Sequence, residues 1–213
     1  MVIFGLTGSI GMGKTTAAGM LRRLGVPVHD ADRTVHRLLG AGGGAVAAVR
    51  AAFGPGVVGA DGGIDRRLLG ARVFRDPAAL ACLERILHPL VRQAERRFLA
   101  TAARRRNRVV ALDVPLLFET NGTRRVDATV VVSAPVFVQR ARVLARPGMT
   151  AGKLDGILER QLPDVLKRRQ ADFVVRTGIG KAHALRQIAR IVSILAVRRG
   201  AHWPGRRRPP LHR

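Results

Sequence analysis

The stretch "VIFGLTGSIGMGKTT", residues 2–16, decides the fold. Its apolar start predicts a buried β-strand, and the glycine-rich segment 8–15 fits the pattern G-x-x-x-x-G-K-[ST] in full. Glycine costs more backbone entropy on folding than any other residue, so this run needs a geometric reason. Because glycine lets successive backbone N–H groups turn inward and adds no Cβ, such a loop can cradle a phosphate chain.

A helix that starts directly after the loop would present free N–H groups and its positive dipole end to the same phosphates. Lys14 is expected to reach the β- and γ-phosphates, and the Thr15 hydroxyl to bind Mg²⁺. A glycine-rich turn without a ligand is the alternative interpretation. The sequence predicts a nucleoside triphosphate site formed by Gly8, Gly11, Met12, Gly13, Lys14, Thr15 and Thr16.

Strand and helix patterns alternate along the chain. Five short apolar runs predict strands at 2–6, 26–29, 108–112, 128–133 and 172–175. Helical patterns are found at 14–24, 30–39, 44–53, 76–87, 89–106, 135–145, 150–161 and 181–198. This alternation is typical of an α/β fold whose parallel five-stranded sheet is flanked by helices.

Two stretches are longer than simple crossover connections require. The segment between the second and third strands predicts a helical insertion at about 41–106, and a second helical excursion occupies about 138–170. The sheet core is then expected at about 1–40, 107–137 and 171–198. The Pro/Arg-rich tail, 201–213, has no apolar period and is expected to be poorly ordered.

Composition bounds the class of protein. The 213 residues are enough for one large domain, and 47% apolar with 24% charged residues is a globular composition. The single cysteine, Cys82, excludes an internal disulfide framework and is expected in a helix core. No apolar run reaches the roughly 18 residues of a membrane helix, and the N-terminus resembles a strand rather than an export signal. We therefore expect a cytoplasmic protein without membrane association.

The net charge of +24 has two interpretations. A strongly positive field favours a polyanionic partner, such as nucleic acid or a phosphorylated metabolite. Only four of the 38 basic residues are lysine, however, so an arginine excess imposed by a GC-rich genome explains the same charge. Either way, the field would concentrate anionic substrates near the surface.

Two acids follow the second predicted strand in "DAD", residues 30–32. Ligands of open α/β sheets bind at the carboxyl ends of strands, which is where these acids are expected. Asp30 is either a helix N-cap or part of the site. Asp32 would lie in the first helical turn, free to act as a base or as a metal ligand.

Asp113 ends the third predicted strand in "LDVPLLFE". Its position after a buried strand favours contact with Mg²⁺ through water or with the acceptor substrate. The alternative is a structural turn ahead of Pro115.

The chain resembles the dephospho-coenzyme A kinase family over residues 3 to about 180. The stretches that carry the resemblance are "GLTGSIGMGKTT", "DAD", "GGIDRRLLGARVF", "LHPLV", "DVPLLFE", "QRARVLARPGMT", "RQLPDVLKRRQADFVV" and "TG". The phosphate loop is common to many families, whereas this ordered set is far more specific. The resemblance implies a P-loop NTPase-type core like that of nucleoside monophosphate kinases, a helical substrate-binding region and a mobile lid.

The resemblance also implies residue roles. Asp32 would be the base for the ribose 3′-hydroxyl of dephospho-coenzyme A, with Arg66 and His88 lining the acceptor pocket and Arg140 serving as the lid arginine. Arg66 could instead be a solvated helix residue, and His88 a helix cap ahead of Pro89. The sequence does not rank three further residues of the lid segment: Arg146, Gln161 and Lys167.

The implied reaction transfers a phosphoryl group from ATP to dephospho-coenzyme A, with Mg²⁺, in a monomer or weak homo-oligomer. A related nucleotide or nucleoside kinase is the nearest alternative. An ATP-dependent nucleic-acid-binding protein is a second one, suggested by the charge. With one Trp, no Tyr and seven Phe, the chain has few side chains for base stacking, so specific nucleic-acid binding is not expected.

Overall fold

The structure, a computed structural model, describes residues 1–74 and 76–203. Five parallel strands form one sheet in the order β2-β3-β1-β4-β5. They are β1 Val2–Thr7, β2 Val28–Asp30, β3 Val109–Asp113, β4 Ala128–Ser133 and β5 Phe173–Arg176. The predicted fold class is confirmed, and each strand lies within two residues of its predicted bounds at either end.

Helices connect these strands. They are α1 Lys14–Arg23, α2 Ala31–Leu39, α3 Val46–Phe53, α4 Arg66–Val73, α5 Pro77–Arg104, α6 Val136–Leu144, α7 Ala151–Leu158, α8 Asp164–Gln170 and α9 Lys181–Ala196. Short 3-10 turns occupy Pro55–Val57 and Gly122–Arg125. None of the helices in the described ranges combines the length and the apolar character needed to cross a membrane.

In the two excursions the predictions of α3, α6 and α7 are confirmed, but other helix predictions there were wrong. The break expected at His88 does not occur, because α5 runs through Pro89 as one helix of 28 residues. An interior proline removes one backbone hydrogen bond, but packing of Leu83 and Leu87 in an apolar cluster keeps the helix continuous. Helix α4 was not predicted, and α8 is separate from α7. The predicted tail lies outside the described residues from 204 onward.

The chain forms two compact units. The first comprises Met1–His29 and the residues from Thr101 onward, and the second comprises Asp30–Ala100. In the first, β1, β3 and β4 are buried along their whole lengths, as expected for strands covered on both faces. Their side chains pack with α1 and α9 in the main core.

The second unit has its own apolar core. Helices α2 to α5, the turn at Pro55–Val57 and the adjoining segments contribute Leu39, Ala45, Val49, Val57, Ile64, Leu69, Leu83 and Leu87. Cys82 lies on α5 and is only partly buried, outside the set of buried side chains that form this core. This core holds α2 and α4 together, so the polar residues at the start of each helix keep a fixed relation.

Candidate active site

The glycine-rich loop, residues 8–13, joins the carboxyl end of β1 to the N-terminus of α1. Gly13 caps α1 in a left-handed conformation with φ 93°, and no side chain caps this helix end. In the described part of the chain, no group accepts a hydrogen bond from the N–H of Gly13, Lys14 or Thr15. These free donors and the helix dipole together form an anion-binding site.

Two loop glycines are required by close packing within the protein. A Cβ on Gly8 would lie 2.4 Å from Val132 Cγ2 and 2.7 Å from the Val132 carbonyl oxygen on β4. Gly11 has φ 77°, and a Cβ there would lie 2.5 Å from Val143 Cγ2 on α6. The absence of a Cβ at these two positions therefore lets the loop lie against β4 and α6.

Lys14 and Asp113 form an ion pair beside the loop. Lys14 Nζ lies 2.5 Å from Asp113 Oδ1. The Asp113 carboxylate is 3% exposed at the carboxyl end of β3, and β3 is the sheet neighbour of β1. The topology thus brings together two residues that the sequence predicted separately, and the lysine is held at the phosphate-binding end of the sheet.

Four side chains distant in sequence hold the outside of the loop. Gln161 Oε1 accepts from Ile10 N, Gln139 Nε2 donates to Ile10 O, Arg142 Nη1 donates to Gly11 O, and Thr177 Oγ1 donates to Met12 O. Gln161 was one of the unranked residues, while Gln139, Arg142 and Thr177 were missed. Thr177 lies in the "TG" pair that contributed to the resemblance, which was the available signal.

Arg140 makes a different contact. Its Nη1 lies 2.9 Å from Asp155 Oδ1, an ion pair between α6 and α7 in which both side chains are substantially exposed. Arg142 also donates to the Thr177 carbonyl, at 2.8 Å. Two neighbouring arginines of α6 therefore have separate partners: Arg142 contacts the loop, and Arg140 contacts Asp155.

The remaining lid-segment residues differ in burial. Lys167 is fully buried on α8, and its Nζ lies 2.9 Å from Glu119 Oε1. Burial raises the pKa of Glu119, but the ion pair with Lys167 and the hydrogen bond from the Leu162 N–H outweigh it and hold that pKa below its ordinary value. Arg146 is exposed after the end of α6.

The second unit carries three of the four predicted acceptor-binding residues, since Asp113 belongs to the first. Asp30 caps α2 by accepting a hydrogen bond from Arg33 N at 2.9 Å, which confirms the capping interpretation. Asp32, in the first turn of α2, is exposed and makes no hydrogen bond or ion pair within the described ranges. His36 lies one helical turn later on the same face, and its Nε2 contacts Arg66 at the start of α4. Asp32, His36 and Arg66 are called the acceptor face below.

His88 is exposed in the interior of α5, so it does not cap a helix. His36 was missed by the sequence reasoning. Its spacing of four residues from Asp32 on a predicted helix was the signal that could have found it.

The described side chains form no cluster of three or more His, Cys, Asp or Glu that could hold a metal ion alone. The exposed Thr15 at the start of α1 and the Asp113 carboxylate, which pairs with the adjacent residue Lys14, fit Mg²⁺ that arrives with a nucleotide. Mg²⁺ keeps several waters and is commonly held by substrate phosphates with one or two protein oxygens.

Comparisons with known proteins agree with this geometry. Residues 2–181 match the family model described as CoaE, dephospho-CoA kinase. The dephospho-CoA kinase of Paramagnetospirillum magneticum is 67% identical over 79% of this chain and 78% of the relative. That of Rhodospirillum rubrum is 62% identical over 88% of both chains. The crystal structure of TT1252 from Thermus thermophilus aligns with a TM-score of 0.78 and 34% identity over 91% of this chain and 96% of the other. A phosphate loop with free N–H donors, on a sheet of this order and in a sequence this similar, shows that the chain belongs to the dephospho-CoA kinase family, whose members are nucleotide-using kinases of coenzyme A biosynthesis.

Proposed function

We propose that the chain transfers the γ-phosphoryl group of ATP to the ribose 3′-hydroxyl of dephospho-coenzyme A, giving ADP and coenzyme A. The observation that supports ATP as the phosphoryl donor is the set of free N–H groups at Gly13, Lys14 and Thr15. They face no competing acceptor in the described chain, so they are available for phosphate oxygens. The family membership supports dephospho-coenzyme A as the phosphoryl acceptor.

The donor side acts by position and charge. Phosphoryl transfer spreads negative charge over the transferred oxygens, and fixed N–H dipoles with a lysine stabilise that charge without reorganising. Lys14 is held by Asp113, which limits its rotamers before ATP arrives. We expect Lys14 to bridge from this carboxylate to the β- and γ-phosphates when ATP is bound.

Mg²⁺, when bound, would neutralise phosphate charge and orient the β- and γ-oxygens. Thr15 is the residue we assign to it, with Asp113 reached through water. A carboxylate paired with Lys14 suits this outer position, because its charge is already partly neutralised.

On the acceptor side, Asp32 is proposed as the general base. A ribose hydroxyl is a poor nucleophile, and a carboxylate that accepts its proton also orients its oxygen. Asp30 is engaged as a helix cap, whereas Asp32 has no partner among the described residues. Arg66 beside His36 offers positive charge for the acceptor's phosphates, and His88 remains a predicted pocket residue.

Arg140 is proposed as the lid arginine that stabilises transferring charge. It now forms an ion pair with Asp155, and both side chains of that pair are exposed. Exposed ion pairs contribute about 0–1 kcal/mol to stability. The arginine can therefore leave Asp155 at little energetic cost when a nucleotide supplies a stronger anion.

The proposal is tested by a coupled ADP-release assay with ATP and Mg²⁺. Dephospho-coenzyme A is compared with nucleosides, nucleoside monophosphates, pantetheine derivatives and RNA, and the product is checked for a 3′-phosphate. Turnover with dephospho-coenzyme A far above the others is expected. Preference for a nucleoside or nucleotide would instead support the related-kinase alternative.

The partner predictions follow the same reasoning. We expect a cytoplasmic monomer or weak homo-oligomer without specific nucleic-acid or membrane binding. Attraction of RNA by the +24 charge should be unselective and fall steeply with salt. Sequence-selective RNA binding at physiological salt, with stimulated ATP turnover, would contradict this.

A further inference from the structure

Three consecutive carbonyls of the phosphate loop are hydrogen-bonded from outside the loop. The bonds run from Gln139 Nε2 to Ile10 O at 2.7 Å, from Arg142 Nη1 to Gly11 O at 3.4 Å and from Thr177 Oγ1 to Met12 O at 2.6 Å. In a trans peptide, the C=O and the following N–H point in opposite directions. Holding these oxygens outward therefore turns the N–H groups of Gly11 and Gly13 toward the opposite side, where an anion would lie.

Ile10 is held on both sides of its Cα. Gln161 Oε1 accepts from Ile10 N at 3.1 Å, while Gln139 Nε2 donates to Ile10 O. These two groups belong to consecutive peptide units, so fixing both restricts the φ and ψ of Ile10. Gln139 is only 4% exposed, which shields its hydrogen bond from competition with water.

The two glutamines come from separate parts of the predicted lid segment, 138–170. Gln139 lies on α6, and Gln161 lies between α7 and α8. The segment next to Gln161 is anchored by Glu119, whose Oε1 accepts from Leu162 N at 2.9 Å and pairs with the buried Lys167. Two points of the predicted lid segment, 22 residues apart in sequence, thus meet the phosphate loop at Ile10.

We propose that Gln139 and Gln161 are positioning residues that set the phosphate loop in its nucleotide-binding conformation, and that the Lys167–Glu119 pair keeps Gln161 in place. The inference rests on the proposed function only in that the loop's ligand is the phosphate chain of a nucleotide. Neither glutamine needs to touch the nucleotide, because each acts through the backbone of Ile10.

One glutamine accepts a hydrogen bond from Ile10 and the other donates one, so the two can be tested with different substitutions. Gln161 is an acceptor, so Gln161→Glu keeps the bond and Gln161→Leu removes it. Gln139 is a donor, so Gln139→Glu would set an acceptor against the Ile10 carbonyl. We expect Gln161→Leu to lower kcat/KM for ATP about threefold to tenfold, the usual scale of one hydrogen bond. Gln161→Glu should retain more activity than Gln161→Leu, and Gln139→Glu should lose at least as much.

Gln187→Leu is the matched control. Gln187 Oε1 accepts from Arg176 N at 2.9 Å, a similar bond at the end of β5. Its loss should leave kcat/KM for ATP unchanged after both proteins have been checked by thermal melts. Equal kcat/KM values for Gln161→Leu and Gln187→Leu would overturn the proposal. If Gln139→Glu does not fold, the Gln161 variants decide the question alone.

Calorimetric titration with ADP separates this inference from the proposed function. Gln161→Leu should weaken ADP binding by a factor similar to its loss of kcat/KM, while KM for the acceptor stays constant. Unchanged ADP affinity would contradict a role in setting the loop. If the wild-type chain binds ADP but does not phosphorylate dephospho-coenzyme A, the proposed function fails and the ADP titration still tests the loop.

Discussion

The phosphate loop and the acceptor face are built in opposite ways. The loop is buried over most of its length and is bonded by side chains from α6, from the turn after α7 and from the segment after β5. The acceptor face consists of exposed side chains, and Asp32 has no partner among the described residues. One region is organised before a ligand binds, while the other keeps its charged groups in solvent.

This difference follows from what each region would bind. A triphosphate offers the same charged oxygens each time, so fixed donors stabilise it without paying for rearrangement. An exposed carboxylate stays charged and solvated until an acceptor displaces water from it. Substitutions in the loop should therefore change nucleotide affinity, and substitutions on the acceptor face should change kcat.

The largest effect is expected for Asp32→Asn. General-base catalysis typically contributes about 10²–10⁴-fold, so kcat should fall on that scale at saturating substrates. Asparagine keeps the size of the side chain, and the carboxylate holds no other described residue, so the melting temperature and ADP affinity should be retained.

Asp30→Asn is the control for Asp32→Asn. Asparagine caps helices about as well as aspartate, so this variant should keep most of its activity and stability. A dead Asp30→Asn enzyme beside a nearly wild-type Asp32→Asn enzyme would mean that the base has been assigned to the wrong carboxylate.

The second largest effect is a loss of stability on breaking the buried Lys167–Glu119 ion pair, which lies behind the phosphate-loop contacts of Gln161. Removing one member of a buried ion pair costs about 3–5 kcal/mol, because the other charge is left buried. Glu119→Gln should destabilise more than Lys167→Met, since Lys167 is 0% exposed and Glu119 is 18% exposed. Urea unfolding of the two variants measures the difference.

The Lys167→Met and Glu119→Gln double variant is the internal control. It leaves no buried charge, so its free energy of unfolding should lie above that of Glu119→Gln alone. Additive losses would show that the two side chains do not stabilise each other.

The phosphate loop and the side chains that support it were only partly predictable from the sequence. The five strands and the loop were predicted because short apolar runs and the glycine pattern are local signals. The bonds to Ile10 join residues 129 and 151 positions apart, and no local pattern reports such contacts. The lysines carried an unused signal: in a chain with 38 basic residues and only four lysines, two of them, Lys14 and Lys167, form the pairs with Asp113 and Glu119.

The residues of the acceptor face rested on different sequence signals. Asp32 was predicted as a base or metal ligand from its position after the second strand, and the resemblance added its role toward the ribose hydroxyl. Arg66 came from the resemblance, and His36 was missed although its helical spacing from Asp32 was a usable signal. The continuous helix through Pro89 could not be predicted from propensity, because tertiary packing outweighs the local cost of an interior proline.

The third prediction separates the two arginines of α6. Arg140→Ala should lower kcat about 10²-fold, the scale of one lost transition-state donor, with a smaller effect on ADP affinity. Arg142→Ala removes contacts to Gly11 and Thr177, so it should weaken ADP binding more than Arg140→Ala does. Single-turnover kinetics with ADP titration distinguishes them, and a kcat loss confined to Arg142→Ala would transfer the proposed role to that residue.

The smallest effect is expected at Asp127, which belongs to neither the phosphate loop nor the acceptor face. Burial raises the pKa of this carboxyl, but hydrogen bonds from the N–H groups of Ile3, Ala201 and His202 and from the His202 ring outweigh it and hold the pKa below its ordinary value. Since the folded pKa is depressed, the contribution of Asp127 to stability is complete above the unfolded value of about 3.9 and is lost as pH falls through the folded value.

Asp127→Asn should destabilise the protein by about 1–3 kcal/mol at neutral pH, because its amide NH₂ replaces one acceptor oxygen. The deficit should narrow below about pH 4, where the wild-type carboxyl also becomes protonated. Thermal melts across this range measure it, with Asp61→Asn as the control, since Asp61 is exposed and accepts one bond from Gly63 N. A deficit that is independent of pH would show that charge on Asp127 contributes nothing, and that only the shape of the side chain matters there.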